Sequence, residues 1–108
     1  MPLTHQSIEI TPAEAHKLVV AGEGNLVDVR EPWEWSGGYA QGAALISLQN
    51  LPARVNDIGR DQPVLFICAS GNRSYQAAEY FRSLGFDARS VAGGTAGWQL
   101  HRLPVQVQ

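Results

Sequence analysis

Short apolar segments alternate with helix-forming segments along the chain, and this alternation constrains the fold more than any other feature. Five apolar segments are predicted strands: Ser7–Ile10, Asn25–Val29, Ala43–Ser47, Pro63–Cys68 and Asp87–Ala92. Helices are predicted over Pro12–Ala21, Leu48–Ile58, Ser74–Leu84 and Thr95–Arg102, with one helical turn at Pro32–Trp35. Strands that alternate with helices form a mainly parallel sheet covered by helices on both faces. We therefore predict an α/β fold built around such a sheet.

Helix-terminal signals support these boundaries. Thr11, Pro12 and Glu14 form the strongest signal, because they supply a capping threonine, a proline at the first helical position and a glutamate that closes a capping box. Thr95 is predicted to cap the last helix after two glycines, and Pro104 is predicted to begin a C-terminal tail.

One cysteine lies where the central predicted strand ends. Cys68 is followed by a loop of mostly short, neutral side chains, Ala69, Ser70, Gly71, Asn72, Arg73 and Ser74. A thiol there faces a helix N-terminus and free backbone N–H groups, which favour the thiolate. Gly71 permits the backbone conformations that a cradle of N–H groups needs, and Arg73 adds a charge that can steady a thiolate or an anionic substrate. We interpret Cys68 as a catalytic nucleophile rather than an inert buried thiol, and the loop as its substrate-binding segment.

The strand order brings other segments to the same place. Ligands of parallel sheets bind beyond the carboxyl ends of the strands, where we expect three segments to meet: Asp28–Glu34, Cys68–Ser74 and Gly93–Thr95. Asp28 and Arg30 follow a buried strand beside this site and have two interpretations. They tune the field around Cys68, or Arg30 pairs with Asp28 or Glu34 and fixes the loop; the structural interpretation is favoured, because ion-pair networks commonly serve structure.

The loop resembles the active-site loop of the rhodanese (sulfurtransferase) superfamily, Cys-x-x-Gly-x-Arg followed by a small residue. Three other segments are similar to motifs of that family, in the family's order: Leu26–Glu31 to its Asp-x-Arg signature, Gly38–Ala43 to Gly-His-Ile-x-Gly-Ala, and Gly93–Trp98 to Gly-Gly-x-x-x-Trp. Tyr39 replaces the usual histidine, and Glu34 stands where a glutamate is common in the family. The resemblance implies one rhodanese-like domain over residues 1–108, with a core of about residues 8–103.

The resemblance also implies an activity, that of a thiosulfate sulfurtransferase. Cys68 would take the sulfane sulfur of a small anionic donor such as thiosulfate, and would pass it as a persulfide to cyanide in an assay, or to a thiol or a sulfur-accepting protein. No metal or organic cofactor is expected. Because Cys68 is the only cysteine, the chain cannot resolve its own persulfide, and an outside molecule must remove the sulfur.

Two alternatives remain open at this point. The domain could be a persulfide carrier or redox-sensing module that acts with a protein partner, since that role needs the same cysteine. A cysteine-dependent phosphatase or arsenate reductase is the weaker alternative, because four residues separate Cys68 from Arg73, whereas the related phosphatases have five.

Composition excludes several other classes. The net charge of the 108 residues is −2, and no basic stripe is present, so no nucleic-acid partner is expected. The longest apolar run, Val64–Ala69, is far too short to span a membrane. Met1–His5 lacks the pattern of a secretory signal. We therefore predict a cytoplasmic protein without membrane contact, and the sequence leaves its oligomeric state open.

Overall fold

A computed structural model describes residues 7–107; Met1–His5, which entered the prediction of location, lies outside the described residues. Seven strands follow one another along this part of the chain: β1 (Glu9–Ile10), β2 (Asn25–Asp28), β3 (Tyr39–Ala40), β4 (Ala44–Leu45), β5 (Val64–Ile67), β6 (Ala88–Val91) and β7 (Val105–Gln106). Its α-helices are α1 (Pro12–Val20), α2 (Pro32–Trp35), α3 (Leu51–Arg54), α4 (Asn72–Ser83) and α5 (Gly94–Leu100).

The central sheet has five strands in the order β1-β6-β5-β2-β4, and every pairing within it is parallel. β3 and β7 form a separate antiparallel pair. The sheet confirms the predicted α/β fold with a parallel sheet. Its central strand, β5, is the strand that leads into Cys68.

Helices pack on both faces of the sheet, as predicted. Because side chains alternate along β5, Phe66 and Cys68 lie in the core on one face, together with Phe81 of α4. Leu65 lies in the core on the other face, together with Trp98 of α5. All five side chains are almost completely buried, so the strand that leads into the predicted site is fixed from both sides.

The predicted capping box at the start of α1 is present. The Thr11 hydroxyl accepts a hydrogen bond from the Glu14 N–H at 3.1 Å, and the Glu14 carboxylate accepts one from the Thr11 N–H at 3.4 Å. The side-chain and backbone groups at this helix end are therefore paired reciprocally.

The predicted helix over Leu48–Ile58 is wrong as a single element. The segment forms a 3₁₀ turn at Leu48–Asn50, then α3, then a second 3₁₀ turn at Val55–Asp57. Pro52 has no N–H to bond the Leu48 carbonyl, which accepts from the N–H of Leu51 instead. The backbone therefore begins in the tighter 3₁₀ conformation.

The predicted third strand is shorter than expected, and the tail is not irregular. β4 spans only Ala44–Leu45, and Val105–Gln106 of the predicted tail forms β7. In the part of the chain that the structure describes, no helix has the length and apolar character needed to cross a membrane.

Candidate active site

The loop after β5 wraps around the sulfur of Cys68. The Sγ atom accepts hydrogen bonds from the backbone N–H of Gly71 at 3.1 Å and from that of Ser74 at 3.3 Å. Gly71 precedes α4 with a φ of 113°, a conformation that L side chains rarely adopt. This turn aims N–H groups of the first helical turn, which have no partner within the helix, at the sulfur. The predicted cradle of N–H groups around Cys68 is therefore present.

The hydroxyl of Ser74 completes the environment of the sulfur. Its Oγ lies 3.3 Å from Cys68 Sγ, 3.1 Å from the Gly71 carbonyl oxygen and 2.7 Å from the Oγ of Ser90 on β6. Cys68, Ser74 and Ser90 are all 0–1% exposed. Ser90 was not among the predicted site residues.

These contacts shift the titration of the thiol. Burial raises the pKa of Cys68, whereas hydrogen bonds from the side chain and backbone of Ser74, and from the backbone of the loop, lower it. The hydrogen bonds outweigh burial, and the pKa of Cys68 lies below its ordinary value. Because the thiolate is the nucleophilic form, the arrangement favours a reactive sulfur.

The N-terminus of α5 holds the loop from the other side. The backbone N–H and the hydroxyl of Thr95 both donate to the Cys68 carbonyl oxygen, at 2.7 and 3.1 Å. Ala96 donates its N–H to the Ala69 carbonyl oxygen at 3.3 Å. Thr95 was predicted to cap α5, but Gly93 occupies the cap position, with a left-handed φ of 74°. The Thr95 hydroxyl instead binds the backbone of the site.

Arg73 is engaged by a carboxylate from another part of the chain. Its two terminal nitrogens bond the two oxygens of Glu34 at 2.7 and 3.0 Å. The hydrogen bond from Arg73 lowers the pKa of Glu34 to about 2 despite partial burial, and the same bond raises the pKa of Arg73. The positive charge of Arg73 is therefore offset by Glu34, next to the N–H groups that surround the sulfur. The remaining loop residues, Ala69, Ser70 and Asn72, have neutral side chains.

Asp28 and Arg30 form a buried structural ion pair. Arg30 donates to both carboxylate oxygens of Asp28 at 2.9–3.1 Å and to the carbonyl oxygen of Gly38 at 2.8 Å. Trp35 donates its indole N–H to Asp28 at 3.1 Å. These contacts fix the segment that carries Glu34, and none of them reaches Cys68. They match the structural interpretation of the pair.

Three segments therefore meet at the carboxyl edge of the sheet, as the strand order predicted. The Glu34–Arg73 ion pair joins the segment after β2 to the loop, and the hydrogen bonds of Thr95 join α5 to Cys68. Within residues 7–107, no group of three or more His, Cys, Asp or Glu side chains is placed to hold a metal ion.

Comparison with known proteins agrees with this geometry. A family model for the rhodanese-like domain matches residues 11–101. The chain belongs to the rhodanese-like domain family. A rhodanese-related protein from Thermoplasma volcanium is 30% identical and superposes with a TM-score of 0.84, over 93% of this chain and 98% of that one. A rhodanese-like domain protein from Staphylococcus aureus is 28% identical, with a TM-score of 0.80 over 93% of this chain and 97% of that one.

The same fold also occurs in a protein that is described in other terms. A protein from Rhodopseudomonas palustris, described as of unknown function and a possible tyrosine phosphatase, is 23% identical with a TM-score of 0.80, over 96% of this chain and 86% of that one. At this identity the likeness shows the rhodanese-like fold alone. Membership in the family does not by itself decide the reaction at Cys68, which depends on the loop.

Proposed function

We propose that this protein is a sulfurtransferase that carries a sulfane sulfur on Cys68. The observation that supports this most is the environment of the Sγ atom, which accepts two backbone hydrogen bonds inside a short loop and lies within 3.3 Å of the Ser74 hydroxyl. Such a site stabilises negative charge on a single sulfur atom. Both the attacking thiolate and a terminal persulfide sulfur carry that charge.

The proposed reaction has two steps. The Cys68 thiolate attacks the outer sulfur of a donor such as thiosulfate, an S–S bond to Cys68 forms, and sulfite leaves with the electron pair of the broken S–S bond. An acceptor nucleophile then attacks the outer sulfur of the persulfide, and the Cys68 thiolate is released. The acceptor is cyanide in an assay, and a cellular thiol or protein otherwise. Because the sequence has one cysteine, no second thiol of the chain competes for the persulfide.

The size of the loop argues against phosphate chemistry. Four residues separate Cys68 from Arg73, and the loop closes tightly enough for two of its N–H groups to bond the sulfur itself. The guanidinium that would hold a tetrahedral oxyanion is already paired with Glu34. Both features favour transfer of one sulfur atom over hydrolysis of a phosphate ester.

The ion pair between Glu34 and Arg73 favours a second candidate role, that of a persulfide carrier. Thiosulfate is a dianion, and the loop offers it a guanidinium that already has a counter-ion. The persulfide group of a small thiol or of a protein carries at most one negative charge, so its binding depends less on a free cation. In this role the domain receives sulfur from one partner and delivers it to another through the same Cys68 persulfide.

The decisive experiment is an intact mass spectrum after incubation with thiosulfate, repeated after addition of cyanide. We expect a gain of one sulfur atom that cyanide removes, and no gain in the Cys68→Ser variant, which keeps the size of the side chain. A gain from a low-molecular-weight persulfide but not from thiosulfate would favour the carrier role. Absence of any gain from either donor, in a folded protein with a free thiol, contradicts sulfur transfer, and turnover of an aryl phosphate would then support the phosphatase.

A further inference from the structure

Ser90 is a buried hydroxyl on the core-facing side of β6, which it shares with Ala88. It is 0% exposed, and Ala88, two positions earlier on the same face of the strand, is a buried core residue. A hydroxyl is costly in such a place unless it is hydrogen-bonded. Among the described residues, the only hydrogen-bond partner of the Ser90 hydroxyl is that of Ser74, with the two oxygens 2.7 Å apart. Ser90 therefore interacts with the site through Ser74.

The positions of the hydroxyl protons follow from the available acceptors. Ser74 has one hydroxyl proton and three groups within reach: Cys68 Sγ, the Gly71 carbonyl oxygen and Ser90 Oγ. The carbonyl can only accept, and so can the sulfur once it is a thiolate. If Ser74 donated to Ser90, neither of these acceptors would receive its proton. If Ser90 donates to Ser74, the proton of Ser74 is free for the sulfur.

We propose that Ser90 is a positioning residue that donates to Ser74 and thereby directs the Ser74 hydroxyl proton toward the thiolate of Cys68. In the thiol form, Cys68 donates to Ser74 while Ser74 donates to the Gly71 carbonyl. In the thiolate form, Ser74 turns its proton to the sulfur. Ser90 donates to Ser74 in both forms. Between the two forms, only the Ser74 hydroxyl changes the group to which it donates.

The charged groups around the loop are paired with one another, so the groups that contact the sulfur are the Ser74 hydroxyl and the backbone N–H groups of Gly71 and Ser74. Arg73 of α4 is paired with Glu34 of α2, and Arg30 is paired with Asp28 after β2. A neutral donor that lies against the sulfur is therefore a main means of stabilising its charge. The proposal rests on the proposed function only for its effect on turnover, because the titration of the thiol requires no sulfur donor.

The test is a pH titration of the ultraviolet absorbance of the thiolate, with the Cys68→Ser protein as the blank. We expect Ser90→Ala to raise the thiol pKa by about 0.5–1 unit and Ser74→Ala to raise it at least as far. In the double variant, Ser90→Ala should add nothing to the effect of Ser74→Ala, since Ser90 acts through that residue. Ser47→Ala removes another buried hydroxyl and should leave the thiol pKa unchanged.

A matched pair of larger variants covers the case in which Ser90→Ala does not fold. Threonine and valine have the same shape and differ in the hydroxyl, so Ser90→Thr should keep a lower thiol pKa than Ser90→Val. Equal pKa values in the two variants, or an unchanged pKa in a folded Ser90→Ala protein, would overturn the role of Ser90. Neither result depends on the mass experiment, so failure here is distinguishable from failure of the sulfurtransferase proposal.

Discussion

Glu34 and Arg73 lie 39 positions apart in the sequence and form a two-point ion pair beside the reactive loop. The pair limits how strongly Arg73 attracts an anionic donor, because the carboxylate offsets the guanidinium charge. We expect Glu34→Gln to accelerate persulfide formation from thiosulfate by up to about 10-fold, which corresponds to about 1.4 kcal/mol.

The control for this prediction is Glu23→Gln, which makes the same change in net charge at an exposed turn after α1. Persulfide formation is followed by mass spectrometry over time, with thiosulfate and with a less charged persulfide donor. Equal acceleration by both variants, or equal acceleration with both donors, would show that the ion pair does not determine how the rate depends on the charge of the donor.

The same ion pair makes stability depend on pH. The pKa of Glu34 falls to about 2 in the folded protein from an ordinary 4.5, so its stabilisation is present above pH 4.5 and is lost as the pH falls through 2. Glu34 and Arg73 are partly exposed, at 23% and 34% of their side chains, and solvent screening reduces the contribution to about 1 kcal/mol. In urea denaturation, the free energy of unfolding of the wild type should exceed that of Glu34→Gln by this amount near neutral pH, and by less in acid. A gap that stays constant down to about pH 2 contradicts this linkage.

At the residue scale, site residues that are contiguous in the sequence could be predicted, and site residues from distant positions could not. Cys68 and its loop occupy seven successive positions, so their chemistry is visible in one motif. Ser90 lies 16 positions beyond Ser74, and nothing in a serine on a predicted strand indicates that its hydroxyl meets another. Glu34 was singled out in sequence, but several acidic residues could have paired with Arg73, and only packing chooses among them.

At the scale of elements, the contact between α5 and the loop after β5 depends on the absence of a side chain at Gly94. A Cβ atom there would lie 2.3 Å from the Cys68 carbonyl oxygen and 2.6 Å from the Ala69 backbone, and φ is +58°. Both the overlap and the left-handed backbone oppose any larger residue. We expect Gly94→Ala to lower the free energy of unfolding by about 2–4 kcal/mol, measured by urea denaturation.

Gly22→Ala is the matched control for the backbone conformation. Gly22 has a φ of +73°, and a Cβ there meets nothing within 4 Å, so this variant carries only the conformational cost of about 1 kcal/mol. Equal destabilisation by the two variants would show that the contact of Gly94 with the loop contributes nothing.

Elements with strong local signals were predicted well, and those determined by pairing were not. The capping box of α1 and the apolar run of β5 are properties of neighbouring residues, and both are present in the structure. β3 and β7 have two residues each, too few for an alternating pattern, and they pair only because the folded chain brings Ala40 opposite Val105. Pro52 was the available sign that Leu48–Ile58 would not be one helix.

At the scale of the whole molecule, the order of the strands explains why the site lies where it does. β5 lies between β2 and β6, so the segments that follow β2 and β6 flank the loop that follows β5. Glu34 comes from the first of these segments and Thr95 from the second. This meeting could be predicted from the alternation of strands and helices, because the ends of adjacent parallel strands share one edge.

β7 and the preceding Pro104 lie outside the central sheet and connect α5 to the segment that contains β3. The Pro104 carbonyl oxygen accepts from the buried indole of Trp98 at 2.7 Å and from the Gln41 N–H at 3.1 Å, and β7 pairs with β3. Deletion of residues 104–108 leaves these donors without their partners. We expect the free energy of unfolding to fall by about 2–4 kcal/mol.

A shorter deletion separates the strand from the end of the chain. Removal of residues 107–108 leaves β7 and Pro104 in place and should change stability little in the same urea experiment. Because the loop around Cys68 is held by the opposite end of α5, the longer deletion should still form the persulfide at temperatures where it remains folded. Loss of persulfide formation in a folded 104–108 deletion would mean that the tail supports the active site as well as the fold.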